Sequence, residues 1–167
     1  FNRNKVLELG GEEYKEMAEG DGHLKTGSVR RLIVGEPIGV FYGYRFDGIF
    51  QNEEECKQQT SSASPIGVGL RRYKDLNGDG KVDAANDREI LGDANPKFFG
   101  GLTNTFAYKG FELNVFLQYS YGNKILNYNA MELENPTGGQ NAYADMVNRW
   151  TPENPSNIYP KATTNRA

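Results

Sequence analysis

Residues 98–121 read FFGGLTNTFAYKGFELNVFLQYSY, two runs of strand length joined by Lys109-Gly110. A glycine-containing pair between two such runs predicts an antiparallel β-hairpin. Because side chains alternate across a strand, the second run separates into two rows. The rows are an apolar one, Phe111, Leu113, Val115, Leu117, Tyr119 and Tyr121, and a mostly polar one, Glu112, Asn114, Phe116, Gln118 and Ser120. The predicted hairpin therefore has one apolar face.

Two kinds of protein contain such a hairpin. A strand of about 11 residues crosses a bilayer at a tilt of about 45°, with its apolar row toward lipid. In a soluble β-sandwich, the same alternation places the apolar row against a protein core. The pattern alone leaves a transmembrane β-barrel and a soluble sheet open as alternatives.

The composition favours sheet and argues against several classes of protein. The chain has 167 residues, of which 20 are Gly, 10 Tyr and 9 Phe, and these types suit turns and strands. No run of about 18 apolar residues is present, so no membrane-spanning helix is predicted. A net charge of -3 without clustered basic residues argues against nucleic acid as a partner. One cysteine and one histidine exclude an internal disulfide and leave little material for a zinc site.

Shorter elements are predicted on either side of the hairpin. Residues 30–34 and 40–50 are rich in β-branched and aromatic types and predict two strands, separated by a Gly-Glu-Pro break. The polar stretch 51–69 predicts an exposed loop, with a short helix beginning at 53–55 as the alternative. A short helix is predicted over 141–150, with Asn141 as its cap. These patterns predict an all-β fold with long loops and a short loop helix.

One stretch contains residues that suit metal chemistry: DLNGDGKVD, residues 75–83. Oxygen ligands fall at every second position, as in a calcium loop, and glycine at the sixth position allows the tight turn. The predicted ligands of this loop, 75–87, are Asp75, Asn77, Asp79, Lys81 through its carbonyl, Asp83 and Asp87. The spacing predicts a structural calcium ion, with magnesium as the alternative.

The end of this loop departs from the usual calcium spacing. Position 12 is Asn86, and the carboxylate comes one residue later, at Asp87. The alternative interpretation is a turn whose Asp and Asn side chains bond only their own backbone. Neither interpretation provides residues for covalent catalysis, so no enzyme activity is predicted.

Three stretches of the chain, in a fixed order, carry a resemblance to a known family. They are GEPIGVFYGYRFDGIFQNEEE (35–55), YKDLNGDGKVDAANDREILGDANPKFFGGLTNTFAYKGFELNVFLQYSYGNKI (73–125) and NRWTPENPSNIYPKA (148–162). Together they resemble the C-terminal third of SusC/RagA-type TonB-dependent outer-membrane transporters of Bacteroidetes. The resemblance implies that residues 1–167 form part of a large antiparallel transmembrane β-barrel of about 22 strands, without its plug and N-terminal domains.

The resemblance also implies a location, a function and partners. Such a protein lies in the cell outer membrane and imports oligosaccharides or peptides together with a SusD-like surface lipoprotein. The TonB complex energises import through regions absent from these residues. The calcium-type loop then lies among the extracellular loops. In this interpretation the residues that face the barrel lumen are Glu112, Asn114, Gln118 and Ser120, and those that face membrane lipid are Phe111, Leu113, Val115, Leu117 and Tyr119.

An alternative comes from another class of protein. It is a secreted, calcium-stabilised β-domain that binds carbohydrate, with exposed tyrosines stacked on sugar rings. Such a domain is soluble as a monomer, whereas a barrel segment needs detergent or lipid, so solubility distinguishes the two.

Overall fold

The computed structural model describes residues 1, 3–17, 28–134 and 141–163. These residues form two compact units, the first made of 1, 3–17, 28–41 and 92–125 and the second of 42–91, 126–134 and 141–163. Within the described ranges, no helix is both long enough and apolar enough to span a membrane.

The described elements are mostly short strands. They are β1 Tyr14–Glu16, β2 Arg30–Ile33, β3 Val40–Tyr44, β4 Phe46–Ile49, β5 Thr60–Ser61, β6 Arg71–Tyr73, β7 Lys81–Val82, β8 Arg88–Gly92, β9 Phe98–Tyr108 and β10 Phe111–Tyr121. The helices are α1 Glu53–Gln58, α2 Tyr128–Leu133 and a 3-10 helix, Ala144–Asn148.

The hairpin β9–β10 in the first unit confirms the prediction from the sequence. Each strand has 11 residues, and the antiparallel register is unbroken from Phe111 opposite Tyr108 to Tyr121 opposite Phe98. The turn needs positive φ at both central residues, and Lys109 and Gly110 have φ values of 46° and 85°. The local Lys-Gly pair therefore sets the register of the whole hairpin.

The rest of the first unit contains an antiparallel set of short strands. Arg31 of β2 lies opposite Glu16 of β1 on one side and Val40 of β3 on the other. Its side chain is buried, forms an ion pair with Glu16 and lies 4.0 Å from the centre of the Tyr14 ring. A buried guanidinium is tolerated because both its charge and its flat face have partners.

The second unit has a small core beside β4. Ile49 and Phe50 are nearly inaccessible to solvent, and β4 pairs antiparallel with β6. Trp150 donates from Nε1 to Oε1 of Gln51, at 2.9 Å. At Gly69, where φ is +82°, a Cβ would lie 2.6 Å from the Trp150 ring, so only glycine fits there. This close approach joins the C-terminal residues to the core of the second unit.

The predicted single strand over 40–50 is wrong. It is divided at Arg45 into β3 and β4, because the two halves pair with different strands: β3 pairs with β2, whereas β4 pairs with β6. Alternating side chains gave no sign of this division, since it depends on the partners and not on the strand itself.

The helices also differ from the predictions. For 51–69 an exposed loop was predicted, with a short helix beginning at 53–55 as the alternative. The alternative is confirmed: α1 forms there because Asn52 Oδ1 accepts from Glu55 N at 2.9 Å and caps the first turn. The predicted helix over 141–150 is reduced to the 3-10 helix, which has no side-chain cap. Helix α2 was not predicted, although Asn127 caps it through a 3.1 Å bond from Ala130 N.

Candidate functional site

The acidic loop, residues 75–87, is anchored in the second unit through β7. Strand β7 pairs in parallel with β5, and Thr60 N donates to Gly80 O at 2.8 Å. The side chain of Val82 is only 1% exposed. The loop is therefore anchored by the buried side chain of Val82 and by the pairing of β7 with β5.

The first half of the acidic loop is wrapped around Asp75. Its Oδ1 accepts from Gly78 N at 2.6 Å, and its Oδ2 accepts from Gly80 N at 2.7 Å. Asp79 Oδ1 accepts from Lys81 N at 2.8 Å. Short-range bonds of this kind are typical of Asx turns, and they fix the loop without distant residues.

Asp83 forms the corresponding turn in the second half. Its Oδ1 accepts from the amides of Ala85 and Asn86, each at 3.0 Å. Its other oxygen lies 3.1 Å from Lys81 Nζ. The hydrogen bond from Lys81, followed by that from the Asn86 amide, lowers the pKa of the Asp83 carboxyl below its usual value.

Asp87 closes the acidic loop and is fully buried. Its Oδ1 accepts from Leu76 N at 2.8 Å, and its Oδ2 accepts from Asp83 N at 2.7 Å. One carboxylate thus joins the first turn of the loop to the last. Asp87 was predicted as a metal ligand, and its role in closing the loop was not predicted; the signal for that role was its displacement by one residue from position 12.

The carboxylates that a metal ion would need are already hydrogen-bonded within the acidic loop. The carboxylates of Asp75, Asp83 and Asp87 accept hydrogen bonds from amides of the loop itself. Among the residues that the structure describes, no three acidic, histidine or cysteine side chains are grouped as metal ligands. A turn whose Asp side chains accept from their own backbone accounts for these hydrogen bonds without a metal ion. The calcium ion stays a prediction.

The hairpin is the second candidate site, and its apolar row is open to the surroundings. Phe111 is 80% exposed and Leu113 60% exposed, and only Val115 of the predicted lipid-facing residues is partly buried. Across the strands, Leu113 lies opposite Phe106. The apolar surface therefore extends over both strands of the hairpin.

The other face of the hairpin carries linked polar groups. Asn114 Nδ2 donates to Glu112 Oε1 at 3.1 Å, and Thr105 Oγ1 donates to Asn114 Oδ1. Phe116 interrupts this row, and its ring packs close to Gly101 of β9. The two rows thus lie on opposite faces as predicted; which one meets lipid and which the lumen stays a prediction.

A cavity of about 350 Å³ lies within the second unit. Three aromatic rings, a guanidinium and a carboxylate are among the groups that line it, from Phe46, Arg71, Tyr73, Glu134, Ile158, Tyr159 and Pro160. Burial, and then the charge of Asp145, raises the pKa of the Tyr159 hydroxyl. Tyr73 and Tyr159 are far apart in the chain, so no local pattern predicted that they line one cavity.

Comparison with known proteins gives matches over most of the chain. No protein-family model matches it. TonB-dependent receptor P3 of Formosa agariphila is 36% identical over 160 residues, 96% of this chain. TonB-dependent receptor P26 of the same bacterium is 35% identical over 161 residues, again 96% of this chain. TonB-dependent receptor P39 is 29% identical over 163 residues, 75% of this chain.

These relatives are much longer proteins. The chain spans about 16% of the length of the first two. TonB-dependent receptors are β-barrels, so the prediction of an all-β chain that forms part of a barrel is confirmed. The described strands do not close a barrel by themselves. The similarity to these relatives, together with the strand-rich fold, shows that the chain belongs to the TonB-dependent receptors.

Proposed function

We propose that this chain is part of a SusC/RagA-type importer of the outer membrane. The hairpin β9–β10 crosses the membrane, and the acidic loop lies on the outer side of the cell. The importer takes up oligosaccharides or peptides with energy from the TonB complex. A SusD-like lipoprotein covers its outer opening.

The observation that carries this proposal is the length and exposure of the hairpin. Eleven residues at about 3.4 Å each, tilted by about 45°, rise by roughly 26 Å, which matches an apolar band about 25 Å tall. Leu117 at 56% and Tyr119 at 53% exposed belong to a continuous apolar row. Soluble monomers seldom expose such a surface to water, and lipid would cover it.

The two rows of β10 suit the two sides of a barrel wall. Aromatic residues near the strand ends, such as Tyr108 and Tyr121, suit the membrane interfaces. Water in the lumen satisfies the polar row. In this arrangement the lumen-facing residues are Glu112, Asn114, Gln118 and Ser120, and the lipid-facing ones are Phe111, Leu113, Val115, Leu117 and Tyr119.

The cavity of the second unit supports an oligosaccharide as the substrate. Aromatic rings such as those of Tyr73 and Tyr159 offer flat apolar faces, onto which sugar rings can stack. Arg71 and Glu134 supply a donor and an acceptor for hydroxyl groups. A peptide is the alternative, since it also presents apolar and polar groups.

A structural calcium ion on the acidic loop is a further part of the proposal. Its support is the alternation of oxygen-bearing residues at Asp75, Asn77, Asp79, Lys81 and Asp83. Carboxylate oxygens have more than one lone pair, so an oxygen that accepts from an amide can also bind a cation. Asp87 suits this less well than the others because it is buried.

Fractionation of the full-length protein tests the proposal. Outer membranes are solubilised in detergent, and the protein is purified and probed for an abundant lipoprotein that co-purifies. We expect recovery in the outer membrane with such a partner. Recovery in the outer membrane without such a partner would refute the SusD-like lipoprotein and leave the proposal of an importer intact. Recovery in the soluble fraction would overturn both and favour the secreted, carbohydrate-binding β-domain.

A further inference from the structure

The acidic loop contains an Asn-Gly pair with a reactivity of its own. In such a pair the glycine amide nitrogen can attack the preceding side-chain amide, because glycine has no side chain to hinder the approach. Asn77 is exposed. Gly78 has a φ of +76°, and a Cβ built on it would meet nothing within 4 Å. Solvent and space for the reaction are both present.

The reaction would proceed in two steps. Gly78 N forms a bond to Cγ of Asn77, the bond from Cγ to Nδ2 breaks, and ammonia leaves with the proton from Gly78 N. The resulting five-membered imide is then opened by water at either of its two carbonyls. The products are an aspartate or an isoaspartate at position 77, and each adds one negative charge to the loop.

Three hydrogen bonds of the closed loop hold the groups that must react. Gly78 N donates to Asp75 Oδ1 at 2.6 Å. Asn77 Nδ2 donates to Asp79 Oδ2 at 2.9 Å, and Asn77 Oδ1 accepts from Asp79 N at 3.2 Å. Because Nδ2 leaves as ammonia and Gly78 N loses its proton, the bonds donated by these two nitrogens must break before the ring can close.

The negative charge of Asp75 also opposes the first step, the attack of Gly78 N on Cγ of Asn77. Gly78 N must lose its proton to become a nucleophile, and the negative carboxylate beside it both accepts that proton in a hydrogen bond and repels the anion that would form. The carboxylate of Asp75 therefore stabilises the unreactive state of the amide.

We propose that Asn77 is a deamidation site that the closed acidic loop protects through Asp75 and Asp79, and that it reacts when the loop opens. Where the product is aspartate, the loop changes from DxNxDG to DxDxDG. The effect on cation binding rests on the calcium ion of the proposed function. Since the number of charged ligands tunes the affinity of such loops for calcium, the added charge would then strengthen its binding. The protection itself needs no ion.

Peptide mass spectrometry of the full-length protein in detergent tests the protection. The protein is incubated with a chelator at mildly alkaline pH, either folded or unfolded in urea, and the peptide that contains Asn77 is followed for a gain of about one mass unit. We expect the folded protein to react about tenfold more slowly, or slower still. Asn95 precedes Pro96, which has no amide proton, and serves as an unreactive internal control. Equal rates in the folded and unfolded protein would overturn the proposal.

A pair of variants tests the part that Asp75 plays. Asp75→Ala should accelerate the reaction of the folded protein about tenfold, because it releases Gly78 N. Asp83→Ala is the matched control, since it removes a carboxylate from the same loop but leaves Gly78 N bonded. An unchanged rate in Asp75→Ala, or an equal acceleration in both, would overturn the role of Asp75. If Asp75→Ala fails to fold, the comparison of folded and unfolded unaltered protein still decides the protection.

Discussion

The hairpin β9–β10 and the acidic loop stabilise their backbones in opposite ways. In the hairpin, nearly every side chain is exposed, and the two strands rely on pairing along their full 11 residues. In the acidic loop, Asp87 and Val82 are buried, and carboxylates accept from the amides of the loop. An isolated two-stranded hairpin is marginal in water. The hairpin therefore depends on what surrounds it, whereas the loop carries its own partners.

The largest effect is expected from a charge on the apolar face of the hairpin. Leu117→Arg should impair assembly in the outer membrane, at a cost of about 2 to 4 kcal/mol if the residue lies near the midplane. Gln118→Arg, the next residue on the opposite face, should assemble normally. The measurement is the amount of each variant in outer membranes and its thermal stability in detergent. Equal tolerance of both would remove the distinction between the two faces.

The acidic loop should instead be broken from within. Asp87→Ala leaves the Leu76 and Asp83 amides without their acceptor, and we expect a loss of about 2 to 3 kcal/mol because both amides are partly buried. Asp79→Ala, an exposed control, should cost less than about 1 kcal/mol. Hydrogen exchange at the Leu76 and Asp83 amides measures the opening directly. Unchanged exchange in Asp87→Ala would contradict the closing role of this carboxylate.

Calcium should stabilise the acidic loop and have no effect on the hairpin. At about ten times its Kd, calcium should stabilise the second unit by about 1.4 kcal/mol and leave the hairpin unchanged. Asp75→Ala should lose this increment, and Asp93→Ala, outside the loop, should keep it. Calorimetric titration and thermal melting with calcium or magnesium are the measurements. No heat and no shift in melting temperature would rule out the ion.

The smallest effect is expected for the pKa of the Cys56 thiol in α1. This pKa reports whether the second unit keeps its structure away from a membrane. Burial, and then the charges of Glu53 and Glu55, raise the pKa of this thiol. Because the thiolate is the reactive form, alkylation should reach its half-maximal rate at a higher pH in the folded protein than in urea.

Two variants of α1 provide the control for this measurement. Glu53→Gln should lower the pKa of Cys56, since it removes a nearby negative charge. Glu54→Gln should change the pKa less, because side chains two positions apart in a helix do not face each other. If the alkylation rate of Cys56 has the same pH profile in the folded protein and in urea, α1 does not keep its structure without the bilayer.

The hairpin and the first turns of the acidic loop could be predicted because their signals are local. Residues 98–121 contain both the alternation of side chains and the Lys109-Gly110 turn that sets the register. Asp75 bonds to amides three and five residues away, so its spacing already implies a tight turn. Helix α1 was predicted only as the alternative to a loop, because the stretch 51–69 is polar and the cap at Asn52 was not recognised.

Features that join residues far apart in the chain depend on the tertiary fold. Gln51 meets Trp150 across 99 positions, and the cavity combines Phe46 with Tyr159. The division of 40–50 into β3 and β4 depends on which strands lie beside each half. Alternation and short spacings describe contacts along one strand or turn, so the hairpin and its two faces could be predicted from them. The groups that surround the cavity come together only through long-range packing, for which the sequence carries no local pattern.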